Sequence, residues 1–457
     1  MIQALIYADY MIIGYFLIVA FGYTVLLCAS FPEVIRKFEE VAYGNVADLM
    51  HEETVLPVSI IIPAYNEEDR ILNAVYSALN SDYANIQIII SCDGSRDNTL
   101  PKLIKTFNLY ETPIMLKNNI KTAEVKRYFA STDYPNIKVI DKVNGQVADA
   151  VNAGLNICRT SLYMTLDADT VMKPNAVSRL VFTYLSNPDC ILVGGAVYVL
   201  NGNKVSHGKL LTEPRVPHGY VTGFQCNEYL SSFLFGRAGW SYFGGALCYS
   251  GAFTLFDTRT VIAAGGHDKG NFSHDAEITI KLHQYMRDQH RPYKISYNPS
   301  AIAWTEVPGS LKAFWRQRGT WQRGLLCSFW EHKQLGLFYR YGIVGCVSFP
   351  FYVLFEVFGP VVEFIAYMTL LIGCFYGLIG YPVLLFIGIA WAYFVFIMMA
   401  SILLNLITFN IYRRKMDILR MFLFAVINLF GFRQFMVLSY VRGTVQYFWN
   451  RLRGRKL

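Results

Sequence analysis

What this sequence lacks narrows its class before what it holds does. Its nine cysteines (Cys28, Cys92, Cys158, Cys190, Cys226, Cys248, Cys327, Cys346 and Cys374) include no C-x-x-C pair, and none stands with histidines at zinc-ligand spacing. That argues against a disulfide scaffold or a zinc module, and scattered free thiols suit a reducing compartment such as the cytosol. Charged residues are scarce, 16% against 54% hydrophobic, and mean hydropathy is +0.30. A chain of 457 residues with that balance is too apolar to be wholly soluble and too long for one ordinary core. No Lys or Arg precedes the first apolar run, so the signal-peptide pattern is absent and the N-terminus is expected outside. No nucleic-acid reader motif accompanies the formal charge of +8, so no nucleic-acid partner is expected.

The positive charge is localised. Residues 411–457 hold ten Lys or Arg (Arg413, Arg414, Lys415, Arg420, Arg433, Arg442, Arg451, Arg453, Arg455, Lys456) against Asp417 alone. That stretch is +9, which leaves −1 for the rest of the chain. A basic run beside apolar segments marks a cytoplasmic membrane surface and attraction to anionic lipid.

Tyr10 to Phe31 form a 22-residue uncharged run, long enough to cross a hydrocarbon core of about 30 Å. From Val55 the pattern changes to short β-branched runs alternating with helical stretches. VSIII (58–62), IQIII (86–90), IKVI (137–140) and LYMTL (162–166) read as strands. Helices are expected over Asp69–Leu79, Thr99–Phe107 and Val147–Ile157, with another opened by Pro174. This alternation predicts an α/β fold, a mostly parallel sheet with helices on both faces, whose ligands bind beyond the strand C-termini. Three polar clusters fall at that edge: Pro-Ala-Tyr-Asn-Glu-Glu (63–68), Cys-Asp-Gly-Ser (92–95) and Asp167-Ala-Asp169.

Ser310 to Lys333 reads as an amphipathic helix at a membrane interface, with Leu311, Phe314, Trp315, Leu325, Leu326, Phe329 and Trp330 interleaved with cations. Residues 341–380 and 381–410 are apolar enough to cross, and 421–441 either cross or lie in the interface. Pro350, Glu356, Pro360, Glu363 and Arg433 interrupt them, so kinks or re-entrant pieces are expected. The expected layout is residues 1–54 as a span (about 10–31) and cytosolic linker, 55–309 as a cytosolic globular domain and 310–340 as the interfacial helix. Residues 341–441 then form membrane or interfacial helices, and 442–457 a basic cytosolic tail.

Singly, the motifs are modest, since Asp-Gly-Ser is often only a turn. Asp167-Ala-Asp169 is stronger: two carboxylates follow a strand of buried type, and strand alternation would put both on one side, within reach of one divalent cation. Mg²⁺ or Mn²⁺ held by one or two carboxylates completes its shell with phosphate oxygens, which points to a nucleotide diphosphate ligand.

Taken in order, the stretches IIIPAYNEE (60–68), CDGSRDNT (92–99), NGQVADAVNAGL (144–155), TLDADT (165–170), SGAF (250–253), AAGGHD (263–268), HDAE (274–277) and RQRGTWQRG (316–324) resemble the membrane-bound processive family 2 glycosyltransferases. That family includes cellulose, hyaluronan, chitin-oligosaccharide and poly-N-acetylglucosamine synthases. The resemblance implies a GT-A-like, Rossmann-related domain between membrane helices, and inverting transfer from a nucleotide-diphosphate sugar to a polysaccharide or lipid-linked acceptor, with Mg²⁺ or Mn²⁺. It places Tyr65, Glu67 and Asp93 around the uridine, Asp169 with Asp167 at the diphosphate and metal, Gly251 in the acceptor wall, and Asp275 as the general base. Gln317 and Trp321 match an interfacial motif holding diphosphate and acceptor sugar. From the residues alone, Asp275 also suits the N-cap of a helix from Ala276 to Met286, and Trp321 suits simple packing.

Three positions depart from the family's pattern. Its Asp-Asp-Gly is Cys92-Asp93-Gly94, its Asn-Gly-Gly-Lys-Ala-Asp has Val147 at the lysine, and its Gln-x-x-Arg-Trp has Thr320 at the arginine. On a helix Arg316 and Arg323 share the face of Thr320, so they and Arg318 are candidate phosphate-binding cations; Lys142, expected in a loop, is the cation near position 147. A processive, exporting synthase in the plasma membrane is the leading reading, with membrane lipids and secretion-complex subunits as further partners. The rivals are a single-transfer enzyme acting on a lipid or short acceptor, a catalytically weakened scaffold of a secretion complex, and a transporter, which leaves the globular domain unexplained.

Overall fold

The computed structural model describes residues 2–43, 55–118, 120–337 and 339–454; the linker residues 44–54 and the basic residues Arg455 and Lys456 fall outside it. The described chain divides into two compact units, one of residues 35–214 with 246–307 and one of residues 1–34, 215–245 and 308–457.

The first unit is built on a ten-stranded sheet. In chain order the strands are β1 (Val58–Ala64), β2 (Ile86–Asp93), β3 (Leu109–Glu111), β4 (Val125–Ser131), β5 (Ile137–Lys142), β6 (Leu162–Leu166), β7 (Thr170–Met172), β8 (Cys190–Val199), β11 (Phe253–Asp257) and β12 (Lys294–Thr305). A separate hairpin pairs β9 (Val205–Ser206) with β10 (Lys209–Leu210). The spatial order is β3-β4-β5-β2-β1-β6-β11-β8-β12-β7. Pairings of β1 with β2 and β6, of β2 with β5 and of β8 with β12 are parallel; β11 enters antiparallel between β6 and β8. Every residue of β1, β6 and β8 is buried, as expected of strands covered on both faces, and their β-branched and aliphatic content supplies the core. Helices Ile71–Leu79, Thr99–Thr106, Val147–Ile157 and Ala176–Leu185 join the strands, within two residues of the expected bounds where bounds were drawn.

The expected 55–309 domain differs from this unit at its ends, which fall at residues 35 and 307, and in its middle. Residues 215–245, carrying helices Tyr220–Leu230 and Ala238–Tyr242 with a π-wound turn between them, pack with the terminal helices instead. The reason is apolar contact: Phe224 stacks on Phe432 and meets Phe424, and Trp240 meets Phe351.

Two segments, Asp9–Glu40 within helix Ile2–Tyr43 and the helix Tyr381–Ile407, are each long and apolar enough to cross a membrane. Two bent pairs add up to two more spans: Val344–Val357 with Gly359–Phe375, broken by 41° beside Pro360, and Lys415–Ile427 with Phe432–Leu452, broken by 63°. The expected intramembrane charges are compensated. Arg433 forks onto Glu363 at 2.6 Å, and Tyr23 donates to Glu356 at 2.7 Å, which offsets part of the cost of placing them among apolar helices.

One expectation about the C-terminal third changes. Residues 442–452 are not a tail; they continue the helix Phe432–Leu452. The expected helix of the 310–340 segment is Leu311–Glu331, capped by the Ser310 hydroxyl; it packs along that last helix, and Gln322 donates to Val357 O and to Thr444. The close approach rests on Gly443, where a Cβ would stand 2.6 Å from the backbone oxygen of Gly319. Gly443→Val is therefore expected to cost about 1–3 kcal/mol by overpacking, and a lowered thermal unfolding midpoint of the detergent-purified chain checks it. Gly388→Ala, whose Cβ would enter open space, is the control and leaves the midpoint unchanged or slightly raised.

Candidate active site

The loops after β1 and β2 are stitched together at the sheet's C-terminal edge. Ser95 Oγ accepts from Asn66 N at 3.1 Å, Asn66 Oδ1 from Arg96 N at 2.8 Å, Asp97 from Glu68 N at 3.0 Å, and Glu68 from Asn98 N at 2.9 Å. Asn66 holds a left-handed backbone (φ 57°), which Asn tolerates, so the chain can turn sharply after Tyr65. The result presents Tyr65, about half exposed, beside the ends of β1 and β2.

Asp93, at the end of β2, is no simple turn aspartate. Its carboxylate is buried and accepts from Gly145 N and Gln146 N, both at 2.9 Å, at the entrance of helix Val147–Ile157. Lys142, the last residue of β5 and not in a loop, has no solvent exposure and bridges Asp93 to Asp149 at 2.5 and 2.7 Å. Asp149 also accepts from Lys269 at 2.8 Å and from Ala123 N. Two carboxylates and two ammonium groups thus close a neutral cluster.

The other half of the edge carries acid without that compensation. Asp167 and Asp169 lie in a tight turn between β6 and β7, closed by Thr170 N to Asp167 O at 3.0 Å, so it is a turn and not strand alternation that brings them together. Thr305 donates to Asp169 Oδ1 at 2.9 Å, and Thr170 donates to Thr305 at 2.8 Å. No ion pair reaches Asp167 or Asp169 among the described residues. Burial first, then Asp169, Asp275 and Glu67, pushes the Asp167 carboxyl up to about 8. Burial likewise raises Asp169, and burial with Asp169 raises Glu67 despite its 3.3 Å pair with Arg70.

β11 runs the opposite way, so the residues before it meet the end of β6: Phe253 pairs with Leu166, and Asp167 N donates to Ala252 O. Gly251 then faces the start of helix His274–Asp288. A Cβ on Gly251 would fall 2.9 Å from the His274 ring and 3.3 Å from Asp275 Cβ. Asp275 is in the first turn of that helix; the N-cap is Ser273, and the Asp275 carboxylate accepts weakly from Gly251 N at 3.4 Å. Thr165, Ser250, Gly251, Thr254, His274 and Asp275 line a small pocket there.

Gln317, Trp321, Arg316, Arg318 and Arg323 belong to the other compact unit, on helix Leu311–Glu331. Gln317 Oε1 is buried without a hydrogen-bond partner among the described residues. Arg318 is 2% exposed, pairs with Glu228 at 2.7 Å and lies 4.3 Å from the Trp321 ring centroid, so its guanidinium is already engaged. Arg316 is exposed, and Arg323 donates to Thr320 at 3.2 Å.

Sequence reasoning missed Lys269, the bridging position of Lys142, and the Thr170–Thr305 pair that steadies Asp169. Only Lys142 had a signal, a lysine ending a buried strand. Lys142→Met leaves Asp93 and Asp149 facing each other without their shared buried cation, and is expected to destabilise the chain by about 3–5 kcal/mol. Thermal unfolding checks it, with a smaller loss at acid pH, where protonation relieves the repulsion.

With this geometry established, comparisons place the chain. It matches the profiles described as "Glycosyl transferase family 2" over residues 59–241 and "Glycosyl transferase family group 2" over residues 163–433. It is 28% identical over 289 residues to a poly-beta-1,6-N-acetyl-D-glucosamine synthase of Staphylococcus epidermidis, covering 62% of this chain and 59% of that one. Against the synthase of the same name from Staphylococcus aureus it is 27% identical over 267 residues, 58% of this chain and 54% of that one. The matches thus span less than two thirds of the curated relatives' length. A mannosyltransferase from Pyrobaculum calidifontis, solved with GDP-Man and Mn²⁺, shares the fold at TM-score 0.54 and 13% identity, covering 93% of this chain and 99% of that one. The chain belongs to glycosyltransferase family 2, and is a GT-A-like enzyme.

Proposed function

We propose that this chain transfers N-acetylglucosamine from UDP-N-acetylglucosamine, with inversion, to the end of a growing poly-N-acetylglucosamine chain. The observation that carries this reading is the group of Glu67, Asp167, Asp169 and Asp275 at one sheet edge of a family 2 glycosyltransferase, of which Asp167 and Asp169 have no ion pair among the described residues. The names of the staphylococcal relatives support the choice of sugar and polymer.

The carboxylates fit Mg²⁺ or Mn²⁺: hard oxygen donors, raised proton affinities, and no ion pair to Asp167 or Asp169 among the described residues. Asp169 and Asp167 would hold the ion, which supplies stabilisation of the charge developing on the departing diphosphate. The chain's own residues do the rest. Tyr65, Glu67 and Asp93 shape the nucleoside pocket, Asp93 through the backbone it fixes at residues 145–146. Thr305 and Thr170 both hold Asp169 through its Oδ1. Asp275 takes the proton of the acceptor hydroxyl as its oxygen bonds to the anomeric carbon, and the bond from that carbon to the diphosphate breaks with its electron pair leaving on UDP. Gly251 keeps the acceptor approach to Asp275 clear. On helix Leu311–Glu331, Arg318 holds Trp321 and Arg323 bonds Thr320, which keeps the stretch from Gln317 to Trp321 in shape beside the exposed Arg316.

The apolar helices support residence in the plasma membrane, with the sheet domain cytoplasmic, contact with membrane lipids, and export of the polymer alongside secretion-complex subunits.

Asp275→Asn is expected to lower sugar transfer by at least about 100-fold while UDP affinity stays within a few-fold; unchanged transfer would remove the base assignment. Purified enzyme with labelled UDP-N-acetylglucosamine should yield long products, and products that stop at one added sugar would overturn polymerisation. A third expectation concerns pH. Because the folded Asp167 carboxyl is pushed up to about 8, ionising it costs stability as pH rises above the ordinary carboxylate range. A divalent cation binds the ionised form, so the rise in unfolding temperature caused by millimolar Mn²⁺ should be small near pH 5.5 and larger near pH 8. Equal rises at both would contradict a cation at these carboxylates.

A further inference from the structure

We infer that Lys269 is a diphosphate-binding cation of this enzyme, delivered from the loop that leads into Asp275 and not from the start of helix Val147–Ile157. The inference rests on the donor reading above. Val147, at the first position of that helix, is 43% exposed and offers no charge where the helix N-terminus meets the sheet edge. Two residues further along, Asp149 draws an ammonium to the same place: Lys269 Nζ stands 2.8 Å from its Oδ2.

The two lysines of the cluster differ in freedom. Lys142 has no exposure and is shared by Asp93 and Asp149, so it cannot leave without stranding both. Lys269 is 36% exposed and bonds Asp149 only from outside. If its ammonium turns to a phosphate, Asp149 keeps Lys142 and the Ala123 N–H, so no buried charge is orphaned. A flexible lysine stem suits such a shared position, since it acts as a point charge with rotatable donors.

The loop is also held where this requires. Asn152, on helix Val147–Ile157, donates to His267 O at 2.8 Å and accepts from His267 N at 2.9 Å, which clamps the loop two residues before Lys269. Six residues after Lys269 comes Asp275, in the first turn of the next helix. A phosphate contact at Lys269 therefore orders the segment that carries the base, and couples donor occupancy to acceptor activation.

The test is calorimetric binding of UDP and UMP to the full chain in detergent, with Lys269→Ala, Lys269→Arg and Lys269→Ala/Val147→Lys. Loss of one charge-assisted phosphate contact predicts UDP affinity about 10- to 100-fold weaker in Lys269→Ala, with UMP within about twofold. Lys269→Arg should retain most of the affinity, and Val147→Lys should restore it in the Lys269→Ala background. Unchanged UDP affinity in Lys269→Ala, or equal losses for UDP and UMP with a lowered unfolding temperature, would overturn the assignment while leaving the donor reading intact. Failure of the unsubstituted chain to bind UDP would overturn the donor reading, and this inference with it.

Discussion

Glu67, the Asp167–Asp169 turn and Asp275 reach one edge of the sheet from three separate stretches of chain, and they raise one another's proton affinity there. Asp167 carries the heaviest burden, since it feels burial and all three neighbours. The opposite half of the edge solves the same problem internally, with Asp93 and Asp149 neutralised by Lys142 and Lys269. The contrast sets a charge gradient along the strand ends. The β2–β5 side is balanced by its two lysines, whereas the β6–β11 side holds crowded carboxyl groups that a cation can occupy. A nucleotide diphosphate with its metal complements such an edge.

Much of this was legible in the sequence because parallel sheets place their chemistry at strand ends. The runs 58–62, 86–90, 137–140 and 162–166 are all strands, and each polar cluster after a strand lies where the topology requires. The antiparallel entry of β11 was not legible, since a five-residue strand carries no sign of its direction; yet that entry brings Gly251 beside Asp275. Asp275 illustrates another limit. Its carboxylate could as well have been a cap, and only Ser273 taking that position shows that it is not. Lys269 gave no signal, because a lone lysine in a glycine-rich loop looks like any solvated charge.

The C-terminal helices show how charge can mislead. The arginines near the end of the chain suggested a basic cytosolic tail from residue 442, but Arg442 and Arg451 lie over the rings of Trp315 and Trp330, at 5.6 and 4.1 Å. Cation–π contacts of this kind let a basic helix pack against an aromatic one, and the Gly319–Gly443 contact fixes how near the two backbones come. The motif helix Leu311–Glu331 is therefore held along its length, and Trp321 is positioned through Arg318 and Glu228.

The discontinuity of the two units has a practical consequence. The sheet unit leaves off at Pro214 and resumes at Ala246, and the intervening residues bury Phe224 and Trp240 against Phe432 and Phe351 from elsewhere in the chain. A contiguous fragment cut at residues 55 and 309 would strip those aromatic side chains of their partners and expose them to water. Such a fragment would invite aggregation however sound its sheet. A soluble version of the sheet unit calls instead for replacing residues 215–245 with a short polar connection, a change of chain connectivity that leaves every carboxylate of the edge in place.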